Sequence, residues 1–291
     1  MTRRAYERSQ REGVLEFQRP FYLQSQFLPV THWNESVETF ACSGGSKPDR
    51  PGSCASVSGQ HGNRCRQYKE QLMVRPRVPE TDEGIQDAFD VKLYDQMQRR
   101  LRDKGWMETS DIISSGINCG HALEVGPGPG YLGLEWLKQT DNTRLSALEI
   151  SQEMIDIASK NAREYHMQDR VAYTMGDACK IPFEDNSFDH AFSNGSLHEW
   201  ADPHVVFNEI FRVLRPGGRY FVSDMRRDIN FFVRCFLYLA VKPRVMRSGL
   251  KTSLRAAYTK TEIQEILGST RIEPSVVISS PIGIKITGEK H

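Results

Sequence analysis

One stretch, Ala122-Leu-Glu-Val-Gly-Pro-Gly-Pro-Gly130, most constrains what this chain folds into. An apolar run carries a carboxylate, Glu124, near its end and then breaks into glycines at 126, 128 and 130. An apolar, helix-prone segment, Tyr131 to Leu137, follows. Strand, glycine turn and helix in that order form the nucleotide-binding corner of a doubly wound sheet. Lacking a Cβ, the glycines let the backbone turn sharply and approach a ligand closely.

Two ligand classes use such a corner, and Gly128-x-Gly130-x-x-Gly133 also satisfies the dinucleotide fingerprint. A pyrophosphate is held by backbone N–H groups at the helix start, and Pro127 and Pro129 have none to offer. A cofactor without phosphates loses nothing by that. S-adenosylmethionine, an adenosine joined to a sulfonium-bearing amino acid, is such a cofactor.

The rest of the chain sets bounds. Its 291 residues hold one large domain plus an appendage. A net charge of +1 creates no global field for nucleic acid. The longest apolar run, Phe231 to Val241, is interrupted by Arg234 and too short to span a bilayer. The N-terminus lacks the apolar segment of a secretion signal, and the six cysteines form no CxxC pair. A reducing cytoplasm is the expected setting. Residues 1–72, with the Gly/Ser/Pro tract of 41–54, read as a low-complexity or disordered, largely irregular extension. Met73 is a plausible start for the functional part, 73–291. Cys42, Cys54, His61 and Cys65 match no usual zinc spacing, and no metal is expected.

From Thr81 a helical period resumes: Phe89, Leu93, Met97 and Leu101 share a face, and Gly105 marks the stop. Arg99, Arg100, Arg102 and Lys104 complement the C-terminal end of that helix dipole. Strands and helices then alternate. Strands are predicted at 121–125, 145–150, 171–175, 188–193, 219–223, 275–279 and 283–287. Ser151 and Asp202-Pro203 start helices, and Pro216-Gly217-Gly218 ends one. An α/β fold follows, with a parallel core covered by helices on both faces.

Further candidates fall at the carboxyl ends of these strands, where open α/β sheets bind ligands. Glu149 ends the second strand, where a carboxylate accepts ribose hydroxyls. Gly176-Asp177-Ala178 ends the third, where an acid accepts the exocyclic amine of adenine. Ser193-Asn194-Gly195 ends the fourth. With Ile181-Pro-Phe-Glu-Asp-Asn-Ser-Phe-Asp189 and Leu214-Arg-Pro-Gly-Gly-Arg219, the pattern resembles the class I S-adenosylmethionine-dependent methyltransferases, in particular the small-molecule group that includes the quinone C-methyltransferases. The resemblance covers about residues 84–291. It implies a Rossmann-like seven-stranded mixed sheet whose last strand is antiparallel and lies between the fifth and sixth. It also implies cofactor-binding roles for Glu124, Gly126, Gly128, Gly130, Glu149, Ile150, Asp177, Ala178 and Asn194. Glu149 would clamp the ribose, Asp177 and Ala178 the adenine, and the glycines the methionine tail.

Methyl transfer is an in-line displacement that rests on alignment and exclusion of water. An acceptor that must lose a proton needs a base. His198, in Ser196-Leu-His-Glu-Trp200, is the candidate catalytic residue. Residues 225–260 are expected to form a helical lid insertion: Phe231, Phe232, Phe236, Leu237 and Leu239 give it apolar surface. Eight Lys/Arg (226, 227, 234, 242, 244, 247, 251, 255) face the single acid Asp228. Such a lid suits a small-molecule or lipid-like acceptor, or peripheral contact with a membrane. Three other readings stay open: a nucleic-acid methyltransferase, a nicotinamide dehydrogenase and a non-catalytic cofactor-binding protein. The Asn-Pro-Pro-aromatic tetrad of amino-directed enzymes is absent after the fourth strand.

Overall fold

The computed structural model describes residues 76–80, 88–241, 244–272 and 275–291. The expectations for residues 1–72, the cysteine–histidine set and Met73 lie outside the described residues. Seven strands build one sheet: β1 (His121–Val125), β2 (Arg144–Glu149), β3 (Val171–Met175), β4 (Phe188–Asn194), β5 (Leu214–Met225), β6 (Ser275–Ser279) and β7 (Gly283–Glu289). Their order is β3-β2-β1-β4-β5-β7-β6. The first five run parallel, and β7 is antiparallel to both β5 and β6. This is the mixed, Rossmann-like sheet expected from the motifs.

Eight α-helices accompany it among the described residues: α1 (Ala88–Asp103), α2 (Thr109–Ser114), α3 (Tyr131–Gln139), α4 (Gln152–Glu164), α5 (Pro203–Val213), α6 (Phe231–Ala240), α7 (Arg247–Ala256) and α8 (Lys260–Leu267). Period-2 alternation along β1 divides the core between the two faces. Leu123 and Val125 enter one cluster, with Phe207 and Ile210 of α5 and Ile263 of α8. Ala122 enters the other, with Trp136 and Leu137 of α3 and Ile112 of α2.

Helix starts follow the predicted caps. Ser151 accepts from the Met154 amide, and Asp202 accepts from His204 and Val205 with Pro203 in the first turn. Thr259 and Glu262 form a capping box on α8. Glu262 also accepts from the guanidinium of buried Arg227 at 2.5 Å.

Two boundaries differ from expectation. Pro216-Gly217-Gly218 does not end a helix: α5 stops at Val213, and β5 already pairs Leu214 with Phe188 before a register shift at Phe188/His190. Gly217, at φ +79°, gives its amide to the Lys290 carbonyl, and the Lys290 amide returns to Gly218. Tertiary pairing with the chain's last residues thus holds that turn extended. The second strand ends at Glu149, which leaves Ile150 just beyond it.

Gly133, in the first turns of α3, is where this helix meets the sheet. A Cβ there would lie 2.2 Å from Glu124 Oε2 and 2.4 Å from Leu145 Cδ2. Alanine improves helix propensity by about 1 kcal/mol, but overpacking a tight core costs about 1–3 kcal/mol. With two overlaps this close the second effect wins. Gly133→Ala is expected to lower the denaturant-unfolding free energy by up to about 2 kcal/mol, net of the two.

Candidate active site

Beyond the carboxyl ends of β1, β2, β3 and β4 the backbone ladder continues through loops. Gly126 donates to Leu148 at 2.9 Å, Gly176 to Glu149 at 2.9 Å and Gly195 to Ser223 at 2.8 Å. These bonds fix the loops around a cavity of about 540 Å³. Glu124, Gly126, Gly128, Glu149, Ile150, Asp177, Ala178 and Asn194 all line it.

Gly130 does not line the cavity. It sits at the N-terminus of α3 with φ +82°, and a Cβ there would meet the Tyr173 hydroxyl at 2.7 Å. Its missing side chain serves packing beneath the turn, so its part is steric. Gly126, at φ +69°, is equally intolerant: a Cβ would lie 2.7 Å from Ser196.

Glu149 is buried at the end of β2. Its Oε2 accepts from Gly128 at 3.0 Å, while Oε1 accepts from Ile150 and Ser151 at 3.0 and 3.1 Å. Burial raises its pKa, and these three amides oppose the shift. The bond to Gly128 ties the glycine turn to the second strand. Asp177 is exposed, with Oδ1 capping the short 3-10 turn at Ala178–Lys180 through the Cys179 amide. Asn194 is braced differently from expectation: its amide nitrogen donates to Glu108 at 3.0 Å and to Ser223 at 2.9 Å. It holds the approach to α2 against β5.

Glu124 is 2% exposed, and its Oε2 has no hydrogen-bond partner. Burial pushes its pKa up to about 8, against the Gly133 amide and with help from Glu149. Oε2 is shut against Gly133 of α3, so this carboxyl braces the junction of strand and helix beside the cavity.

His198 lies elsewhere than a base requires. It is buried and is not among the cavity-lining residues. Its Nδ1 lies 2.8 and 3.0 Å from the two carboxylate oxygens of Asp224, and Nε2 lies 3.4 Å from Glu80 and 3.8 Å from Glu199. Burial disfavours charge on the ring, but Asp224, Glu199 and Glu80 outweigh it and raise its pKa to about 9. Both ring nitrogens thus face carboxylates instead of the cavity, and the expectation of a general base there is corrected.

Residues 225–260 contribute nothing to the cavity wall among the described residues. Arg226 pairs with Asp228 at 2.6 Å, and Arg227 pairs with Glu262, so two of the eight cations serve internal structure. The expected lid instead presents α6, none of whose described side chains is buried.

Sequence reasoning missed part of the wall. Tyr94 and Gln98 of α1 line it, joined by a 2.9 Å hydrogen bond, as do Met107, Glu199 and Trp200. Tyr94 and Gln98 are one turn apart, next to the predicted core face, a spacing that would have flagged them. α1 is seated by Asp95, which accepts from the Tyr131 hydroxyl at 2.8 Å and from Asn161 at 3.1 Å. Asn161 also donates to the Pro129 carbonyl. Arg102, over the Tyr131 ring at 4.9 Å, adds to this clamp, so the basic helix end does more than complement a dipole.

Comparisons with known proteins place the chain. Residues 123–222 match the methyltransferase domain family. The methyltransferase GfsG of Streptomyces halstedii is 32% identical over 110 residues, 38% of this chain and 39% of that protein. A ubiquinone/menaquinone biosynthesis C-methyltransferase of Roseobacter denitrificans is 34% identical over 108 residues, 37% of this chain and 43% of that protein. The chain therefore spans about two fifths of the length of these curated relatives. A crystal structure of a candidate S-adenosyl-L-methionine-dependent methyltransferase from Methanococcus maripaludis superimposes with a TM-score of 0.59 at 25% identity. The match covers 74% of this chain and 97% of that one. In strand order, cavity position and these matches, the chain is similar to the class I S-adenosylmethionine-dependent methyltransferases.

A stability consequence follows from Glu124. Between the usual carboxylate range and about pH 8, the folded protein keeps a proton that the unfolded chain has released. Stability in this window must fall as pH rises. Glu199, which burial pushes up to about 7, acts in the same direction. The contribution of Glu124 is therefore read by difference: Glu124→Gln is expected to flatten the decline in unfolding free energy between pH 5 and pH 8 relative to wild type.

Proposed function

We propose that this protein transfers a methyl group from S-adenosylmethionine to a small, amphipathic acceptor in the cytoplasm. The observation that carries the reading is the convergence of Glu124, Glu149 and Asp177 with a glycine turn on one cavity at the carboxyl edge of the sheet. The cavity fits the cofactor. The close approach at Gly126 leaves no room for a side chain, and Glu124 stands on the cavity wall beside the glycine turn. When bound, the cofactor supplies a methyl carbon activated by positive sulfur.

The residues divide the work by chemistry. Glu149, oriented by three amides, has lone-pair capacity left for a ribose hydroxyl. Asp177 and the backbone at Ala178 suit the adenine edge, and the exposed Ile150 side chain offers the adenine an apolar wall. Gly126 and Gly128 admit the methionine tail. The walls at Tyr94 and Trp200 exclude water from the reacting end. Alignment and desolvation of this kind supply up to about 7–11 kcal/mol of barrier reduction in well-oriented systems. His198 orders the loop behind the wall.

Glu149→Ala and Asp177→Ala are each expected to weaken S-adenosylhomocysteine binding at least about tenfold in calorimetry, roughly 1.4 kcal/mol. Incubation of wild type with labelled methyl donor and a metabolite extract should label one or a few acceptors. Failure to bind either donor or product would remove the reading.

The amphipathic character of the acceptor rests on α6. Phe232 is 81% exposed, and Phe231, Phe236 and Leu239 are also exposed, beside exposed Arg234, Arg244, Lys251 and Arg255. An exposed apolar helix with cations on it and on the segment that follows suits the surface of an anionic lipid assembly. The name of the Roseobacter relative, a quinone methyltransferase, points to the same acceptor class. Replacing Phe231, Phe232 and Phe236 together with serine should reduce labelling of lipid-extract acceptors in vesicles severalfold while S-adenosylhomocysteine affinity stays constant. Unchanged labelling would detach α6 from acceptor delivery.

A further inference from the structure

Behind the cavity wall stands a second group of donor atoms. Glu80 lies in the described segment 76–80, which is tied down where Arg77 donates to the carbonyls of Ala256 and His198. Glu80 faces His198 and Glu199, and one ligand atom from each of the three lies within 4.8 Å of the others. Asp224 fixes the imidazole from the far side: its carboxylate meets Nδ1 at 2.8 Å, and Oδ2 also accepts from the His198 backbone at 2.7 Å. With the Nδ1 proton given to Asp224, Nε2 faces Glu80 and Glu199, and a metal ion bound there would replace its proton.

Three features of this arrangement point one way. A carboxylate–histidine pair that leaves the other ring nitrogen facing carboxylate oxygens is the support that metal-binding histidines use. Bonds of about 2.0–2.2 Å from one ion to nitrogen and oxygen place its ligand atoms about 3–3.6 Å apart. The 3.4 and 3.8 Å separations from Nε2 need only small side-chain rotations to reach that. Charge is also out of balance: three carboxylates share one imidazole, which even when cationic leaves two negative charges inside the cluster. Asp224 is buried, and Glu80 and Glu199 are partly exposed, so an added cation would be favoured by the local charge without a large cost of stripping water. The nearby guanidinium of Arg77 is spent on backbone carbonyls.

We propose that Glu80, His198 and Glu199 bind one divalent first-row transition-metal ion, with Asp224 as the positioning residue that orients the imidazole. One nitrogen and carboxylate oxygens are a donor set that Mn²⁺, Fe²⁺ and Zn²⁺ accept. Glu199 also lines the cavity, so it would connect a bound ion to that space. An ion there would take an anionic oxygen of the acceptor, such as a phenolate or enolate. This last point rests on the methyl-transfer reading, whereas ion binding does not. Sequence spacing does not reveal the site, because Glu80 is far along the chain from His198 and Glu199.

The test uses the full chain, stripped with chelator and titrated with Mn²⁺ alone, the free ion being followed by electron paramagnetic resonance. A parallel titration uses Zn²⁺ alone with metal analysis. One ion per chain is expected, with nitrogen coupling in the bound Mn²⁺ signal if Mn²⁺ is taken. Glu80→Gln and His198→Gln should each weaken binding at least tenfold, the latter removing the coupling. Asp224→Asn should weaken it about 10–100-fold. Cooperative thermal unfolding marks a variant as folded, and the two ligand variants on separate segments guard against loss of one. Binding of neither ion, or wild-type uptake no greater than that of the Glu80→Gln/His198→Gln double variant, would overturn the proposal. A separate S-adenosylhomocysteine titration keeps the two readings apart. Cofactor binding without ion binding sinks the metal site alone, and ion binding without cofactor binding sinks methyl transfer alone.

Discussion

The bond from the Gly128 amide to Glu149 is the contact on which the site depends. A glycine turn bearing two prolines has few amides with which to stabilise itself. A buried carboxylate at the end of the adjacent strand supplies the missing partner, and the turn in turn helps keep that carboxylate ionised in a place that disfavours charge. Each group makes the other tolerable. The cavity takes its shape from that exchange, because β1 and β2 end side by side and their loops cannot separate.

Support for the turn comes from the helical side as well. Asp95 collects the Tyr131 hydroxyl and the Asn161 amide, and Asn161 reaches the Pro129 carbonyl. The residues that join these elements are polar and half or fully buried, so each must find its partner to repay desolvation. α1 is thereby held over the cavity with Tyr94 near the glycine turn, 3.4 Å from where a Gly128 Cβ would sit. A wall built this way is rigid where a ligand's tail would be held. Acidic walls of differing ionisation flank it: Glu124 is kept neutral at pH 7 by burial, and Asp177 is open to solvent.

Much of this was legible in the residues alone. Period-2 alternation, caps at Ser151 and Asp202, and glycines at strand ends located every strand and most of the wall, because they report local backbone physics. What the chain's linear order hid was tertiary. Gly130 reads as a ligand contact but packs against Tyr173. Asn194 lines the cavity, but its amide nitrogen is also engaged by Glu108 and Ser223. His198 reads as a base only until Asp224, on a distant strand, takes one side of its ring. The basic insertion looked like a lid because charge counts do not reveal which arginines are already paired. Tyr94 and Gln98 were passed over because their helix was read for its core face.

Glu262 illustrates how economically one carboxylate can be used. It closes the capping box that starts α8 and at the same time receives the guanidinium of buried Arg227, at the root of the segment that carries α6. Because both bonds converge on a single side chain, the start of α8 and the chain just ahead of α6 share one anchor.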